Sequence, residues 1–179
     1  MAPGTVTLRR ATPEDAASYL RLMETILRET PPVDAPYAPE DFDPDEAEMR
    51  LIIGGYALSG NSLFLVAEGE TPDTLAAALT CRGGRLTTDA HVADLGIYVD
   101  RRYRGYGLGT QMLDMAMAWA AGHPIIRRVQ LEVMATNSGA IRLYERFGFE
   151  REGLRRRAVV RGSEPADMLM MAWLAPEYR

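Results

Sequence analysis

Between Ser62 and Asp100 three apolar stretches follow one another with short connections, and this spacing constrains the fold more than any other feature. They are Ser62–Glu68 (SLFLVAE), Thr74–Arg82 (TLAAALTCR) and His91–Asp100 (HVADLGIYVD). Parallel neighbours need a crossover of about a dozen residues or more, usually a helix, whereas antiparallel neighbours need only a turn. GETPD is such a turn, and a Gly-rich loop separates the second and third stretches. The spacing predicts an antiparallel meander.

Helical patterns lie on both sides of it. Thr12 is a plausible N-cap with Pro13 at the first helical position, and Ala16, Leu20, Met23 and Leu27 recur at helical spacing. The proline-rich TPPVDAPYAP cannot continue that helix. A second helix is expected from Asp45 to Leu58, carrying Met49, Ile52, Ile53 and Tyr56. Leu108–Ala121 is a third, with Leu108, Met112, Met115 and Trp119 as its apolar face. Strands are expected at Thr5–Arg9 and Arg128–Met134. A fourth helix, capped by Thr136 or Asn137, carries Ala140, Leu143, Tyr144 and Phe147. Two last strands, Phe149–Arg161 and Ala166–Leu174, are joined by the turn RGSEP. The order implies one mixed α/β domain over residues 1–179, with about seven mostly antiparallel strands and four helices.

Composition excludes several chemistries. All 20 basic residues are arginine, so a Schiff-base lysine and a phosphate-loop lysine are ruled out. A net charge of -5 argues against nucleic acid as a partner. No stretch approaches the ~20 apolar residues of a membrane span. The first residues lack the apolar run of a signal peptide, so the expected compartment is the cytoplasm and no membrane association is expected. The single cysteine, Cys81, lies in an apolar stretch and reads as core. No metal site is expected.

The chemistry lies in Ile97–Thr110 (IYVDRRYRGYGLGT), where a strand ends, a loop of arginine and glycine follows and a helix begins. Glycines let consecutive N–H groups converge at the positive end of a helix dipole, which makes an anion cradle suited to a pyrophosphate. A nucleoside-triphosphate loop needs a lysine. A dinucleotide GxGxxG would place its third glycine where Thr110 stands. Arg104, Gly107 and Gly109 instead fill [RQ]-x-x-G-x-[GA], against which a plain tight turn stands as the simpler alternative. A second segment begins 22 residues after Gly109: Leu131-x-Val133-x-x-x-Asn137-x-x-Ala140-x-x-Leu143-Tyr144-x-x-x-Gly148-Phe149.

Taken together these two segments resemble the GNAT superfamily of acyl-CoA-dependent N-acyltransferases. TLRRATPEDAASYLRLM, SLFLVAE and TLAAALTCR resemble that family's opening elements. The resemblance implies the GNAT fold and acetyl-CoA as co-substrate. It implies that the backbone from Arg104 through Gly105, Tyr106, Gly107, Leu108 and Gly109 to Thr110 holds the pyrophosphate, with Arg104 adding positive charge. It implies that the pantetheine pairs with the backbone of Ile97, Tyr98 and Val99, where two parallel strands splay, and that one N–H there polarises the thioester carbonyl. Asn137 would bond the pantetheine, Ala140 would be small to let it pass, and Tyr144 would be the general acid. Asp94 stands where relatives with an HxAELGI strand carry an acid, and is the first choice of base. Its shorter reach favours a bridging water. Glu132 is the second choice. A strand-edge His91 and a turn-bound His123 read as structural.

The implied reaction is direct transfer of acetyl to a primary amine of a small molecule in a ternary complex, without an acyl-enzyme. A protein N-terminal acetyltransferase, taking a peptide N-terminus, and a non-catalytic acyl-CoA sensor are the alternatives. The acceptor's charge stays open. Residues 28–50 hold eight acids, Asp34 among them, against two arginines, which would suit a cation or simply solvate a helix start. Arg151, Arg155, Arg156, Arg157 and Arg161 crowd one late strand and would suit an anion or a solvated edge. Exposed edges of the last strands leave room for a homodimer.

Overall fold

The computed structural model describes residues 6–29, 39–161 and 163–178. Thr5, the proline-rich stretch over 30–38 with Asp34, and Gly162 lie outside the described residues. The expected elements form, with small shifts at their ends. Strand β1 (Leu8–Arg10) leads through a 3-10 turn, Pro13–Asp15, into helix α1 (Ala16–Leu27). Helix α2 (Glu46–Leu58) starts at Asp45, whose carboxylate accepts from the Glu48 N–H while Glu48 reaches back to the Asp45 N–H. The meander is β2 (Leu63–Glu68), β3 (Leu75–Gly83) and β4 (Val92–Val99). Helix α3 (Leu108–Ala121), β5 (Arg128–Met134), α4 (Ser138–Arg146), β6 (Glu150–Arg161) and β7 (Glu164–Leu174) complete the chain, with Asn137 capping α4.

One seven-stranded sheet runs β1-β2-β3-β4-β5-β7-β6, antiparallel everywhere except β4 beside β5. Both faces are covered, which is why β2 reads as a continuous apolar run rather than an alternation. Phe64, Val66 and Ala78 face α1 and α2 through Tyr19, Met23, Ile26 and Ile53. Leu65, Leu79, Val129, Leu131 and Met171 face α3 and α4 through Leu108, Met112, Leu113, Ile141 and Tyr144. Each such aliphatic side chain contributes about 1.5–3 kcal/mol on burial.

Two apolar faces differ from expectation. On α3 the buried face is Leu108, Met112, Leu113, Ala116, Met117 and Ala120, while Met115 is 38% exposed and Trp119 is half-buried against His123. The small Ala116 and Ala120 let that side lie close to the sheet, and helical spacing alone does not choose between neighbouring faces. On α2 Met49 and Ile53 are buried but Ile52 is exposed.

The turn before α1 carries a pH-dependent contribution to stability. Arg9 grips buried Asp15 with two hydrogen bonds of 2.7 Å, and the Thr12 N–H adds a third at 2.8 Å. Burial alone would raise the Asp15 pKa; the Arg9 and Thr12 hydrogen bonds outweigh it and hold the carboxyl below its ordinary range. The contribution is therefore present above the unfolded pKa of about 4 and is lost as pH falls through the lower folded value. Asp15→Asn should cost about 2 kcal/mol in urea unfolding at pH 7 and progressively less toward about pH 2. An equal cost at both ends would remove the ion pair from the account.

Candidate active site

β4 and β5 are parallel neighbours for only three residues, Val92–Asp94 against Arg128–Gln130. Beyond that point β4 keeps its pairs with β3 out to Val99, and β5 keeps its pairs with β7 out to Met134. The two strands therefore part, and among the described residues no strand pairs with Ile97–Val99 on the β5 side. Gly96, two residues past the last parallel pair, adds no side chain to fill the gap. A cavity of about 1040 Å³ occupies it. Arg82, Asp94, Gln130 and Glu132 line it on the α1/α2 face; Leu108, Ala140, Leu143 and Tyr144 line it on the α3/α4 face.

The Gly-rich loop forms one end. Gly105 and Gly107 have φ of +81° and +84°, the left-handed region that disfavours any residue with a Cβ. Gly107 is the N-cap of α3. The first bond into the helix runs from the Gln111 N–H to the Gly107 carbonyl at 3.0 Å. Among the described residues nothing accepts from the N–H groups of Gly105 through Thr110. The Arg104 N–H, by contrast, is bonded to the Arg101 carbonyl, so the run of unbonded donors begins one residue later than expected. The Arg104 side chain also turns elsewhere: its guanidinium meets Glu29 at 2.7 and 2.8 Å, and its Nε donates to the Val99 carbonyl at 2.7 Å. Of the residues expected at the cofactor, Ile97, Tyr98, Val99, Arg104, Gly105, Gly107, Leu108, Gly109, Thr110, Asn137, Ala140 and Tyr144 all line the cavity. Tyr106 is exposed and does not.

Tyr144 projects from α4 with its ring 5.7 Å from that of Phe149. Burial pushes its phenol up to about 12, so it stays protonated at neutral pH. Among the described residues its hydroxyl has no hydrogen-bond partner. Asn137 spends its carbonyl oxygen on the Ala140 N–H at 3.1 Å, and its amide N–H groups have no partner among the described residues.

The opposite mouth is polar. Gln130 Nε2 donates to Asp94 Oδ1 at 2.8 Å, and Gln130 Oε1 accepts from Arg128 Nε at 2.8 Å. Arg128 is in turn held by both oxygens of Glu152. Gln130 and Arg128 were not singled out from the sequence; only the parallel register places Gln130 beside Asp94. Glu132, the second choice of base, is clamped by Arg155 at 2.5 and 2.7 Å. The late arginines are partly committed: Arg151 pairs with Glu145, and the Arg157 N–H meets Asp167 at a bulge of edge strand β6. Cys81 is fully buried, and burial pushes its thiol up to about 12, which leaves little thiolate. His123 Nδ1 accepts from the N–H groups of Ile125 and Ile126, a structural role, and His91 packs near Tyr178. Among the described residues no group of His, Cys, Asp and Glu could hold a metal ion, and no helix is long and apolar enough to cross a membrane.

Residues 20–149 match the acetyltransferase (GNAT) family. The chain belongs to that family. An L-amino acid N-acetyltransferase, AaaT of Escherichia coli K12, is 34% identical over 100 residues, which are 50% of this chain and 59% of that protein. This curated relative is thus matched over little more than half of its own length. Among solved structures, a GNAT-family acetyltransferase from Streptococcus pneumoniae superposes with a TM-score of 0.87 at 26% identity, covering 96% of this chain and 99% of that one. A GNAT phosphinothricin acetyltransferase from Sinorhizobium meliloti, in complex with acetyl-CoA, superposes at 0.81 with 21% identity, covering 98% and 91%.

Proposed function

We propose that this GNAT chain transfers acetyl from acetyl-CoA to a primary amine of a small molecule by direct attack in a ternary complex. The observation that carries the reading is the gap between β4 and β5, lined on both faces of the sheet. Two substrates can approach it from opposite sides, one over α3 and α4, the other past Asp94. The N–H groups from Gly105 to Thr110 suit a pyrophosphate at the start of α3. The edge of Ile97–Val99 suits an extended amide-bearing chain, with Asn137 as a further donor and Ala140 leaving room. The donor supplies an activated acetyl thioester. Asp94 accepts the amine's proton, directly or through water, and the Tyr144 hydroxyl gives its proton to the departing sulfur. An N–H of the β4 edge stabilises negative charge on the carbonyl oxygen. Glu132, held by Arg155, is poorly placed to share the work of the base.

Four of the eight acids of residues 28–50 are engaged within the protein. Asp45 and Glu48 are spent on a helix cap, Glu46 on Arg50 and Glu29 on Arg104. The test is free-thiol release from acetyl-CoA with amino acids, polyamines, aminoglycosides and peptide N-termini as acceptors. Release with a small amine and an acetylated product is expected. Release with peptides alone would move the assignment to a protein N-terminal acetyltransferase. Binding of acetyl-CoA with no release anywhere would make the chain a sensor.

A further inference from the structure

The acetyl-transfer reading leaves the acceptor's chemical class open, and the sheet face around Asp94 narrows it. Arg82 on β3 and Asp94 on β4 are partners in register. They share the α1/α2 face, because their neighbours Cys81, Ala93 and Leu95 point into the opposite core. Both line the cavity, and both side chains are more than half exposed, at 66% and 54%. They form only a loose ion pair: Arg82 Nη2 stands 3.8 Å from Asp94 Oδ2, beyond hydrogen-bond reach. Gln130 already holds Oδ1. The oxygen left over is the one that faces the guanidinium.

The other arginines around the cavity are committed or remote. Arg104 is paired with Glu29 and Arg128 with Glu152, each through both carboxylate oxygens. Arg146 sits on α4, on the opposite face. Among the described residues Arg82 is the guanidinium on the Asp94 side that lines the cavity without a hydrogen-bonded acid. A loose pair of opposite charges, each with free hydrogen-bonding capacity, fits a ligand carrying the complementary charges side by side.

Resting on the acetyl-transfer reading and extending it, we infer that Arg82 receives a carboxylate of the acceptor while Asp94 faces its amine, so that the acceptor is an α-amino acid or a close analogue. The ammonium takes Oδ2 of Asp94, and the carboxylate takes the fork of Arg82 N–H groups in the planar geometry that guanidinium favours. A polyamine would instead bring a second positive charge toward Arg82 and meet repulsion. A carboxylate received this way gains roughly ten- to a hundredfold in affinity over the same molecule without it.

The experiment compares kcat/KM, by thiol release, for the best amino acid of the panel, its carboxamide and its decarboxylated amine. The native enzyme should prefer the acid over the carboxamide by about tenfold or more. In Arg82→Gln that ratio should fall toward one, mainly through KM, and Arg82→Lys should restore part of it. A native ratio near one, a polyamine as the best acceptor, or a ratio unchanged in Arg82→Gln would overturn the assignment. If no acceptor releases thiol, acetyl transfer itself has failed, and calorimetry on the CoA-saturated protein decides about Arg82. Tighter binding of an amino acid of the panel than of its carboxamide, lost in Arg82→Gln, supports the site. Equal binding of every amino acid of the panel and its carboxamide overturns it.

Discussion

Tyr144→Phe should lower kcat by about a hundredfold or more while leaving the KM for acetyl-CoA within about threefold. The substitution removes one oxygen and nothing else. The ring stays packed on α4 against Phe149, so the fold loses none of that apolar contact. The hydroxyl has no partner among the described residues, so no hydrogen bond in the protein is broken and the melting temperature should hold. What disappears is the hydroxyl proposed as the proton donor at the cavity wall, and a general acid contributes about 10²–10⁴ in rate. The pH profile adds an independent reading. Burial pushes the phenol up to about 12, so the group stays protonated through the weakly alkaline range. Native kcat should show no loss below about pH 11 that Tyr144→Phe abolishes. Turnover within threefold of native would return Tyr144 to the role of a core aromatic.

The fold was legible wherever one local rule decided the outcome. The short turns within 62–100 left antiparallel pairing as the only economical connection. Thr136 or Asn137 marked the start of α4 by capping chemistry that acts over three residues, and Asn137 is the residue that caps it. The glycines at 105 and 107 announced positive φ because other residues avoid it. What the sequence withheld depends on register or on distance along the chain. Gln130 reaches Asp94 only because β4 and β5 pair at Val92–Arg128, and no local pattern states that register. Arg104 looked like a pyrophosphate ligand by position, but its partner Glu29 lies 75 residues away at the end of α1. Met115 fitted a helical face as well as Ala116 did. The tie was broken by how closely α3 approaches the sheet, a tertiary fact. The acid at 94 could be named from a resemblance; its loose contact with Arg82, which bears on the acceptor, could not.

Gly107→Val should weaken CoA binding by about a hundredfold. A Cβ at this position meets no atom within 4 Å, so the effect does not come from a clash with a neighbour. It comes from the backbone. At φ +84° a residue with a Cβ is strained by about 1–2 kcal/mol, and a β-branched one by more. The chain relieves that strain by rotating toward negative φ, and because Gly107 is the N-cap of α3 the rotation turns the N–H groups of Leu108, Gly109 and Thr110 away from a common point. Hydrogen bonds to a charged group are worth about 1.5–3 kcal/mol each, so the loss of one or two accounts for the expected change. Gly55 supplies the control. It is equally open but lies inside α2, and Gly55→Ala should leave CoA affinity unchanged. Pantetheine, which lacks the pyrophosphate, should inhibit native and Gly107→Val protein alike, because the contacts proposed for it lie along Ile97–Val99. Equal weakening of CoA and pantetheine would mean that the substitution disturbs the whole cleft. CoA affinity within threefold of native would reduce the loop at 105–109 to a tight turn and move the anion site elsewhere.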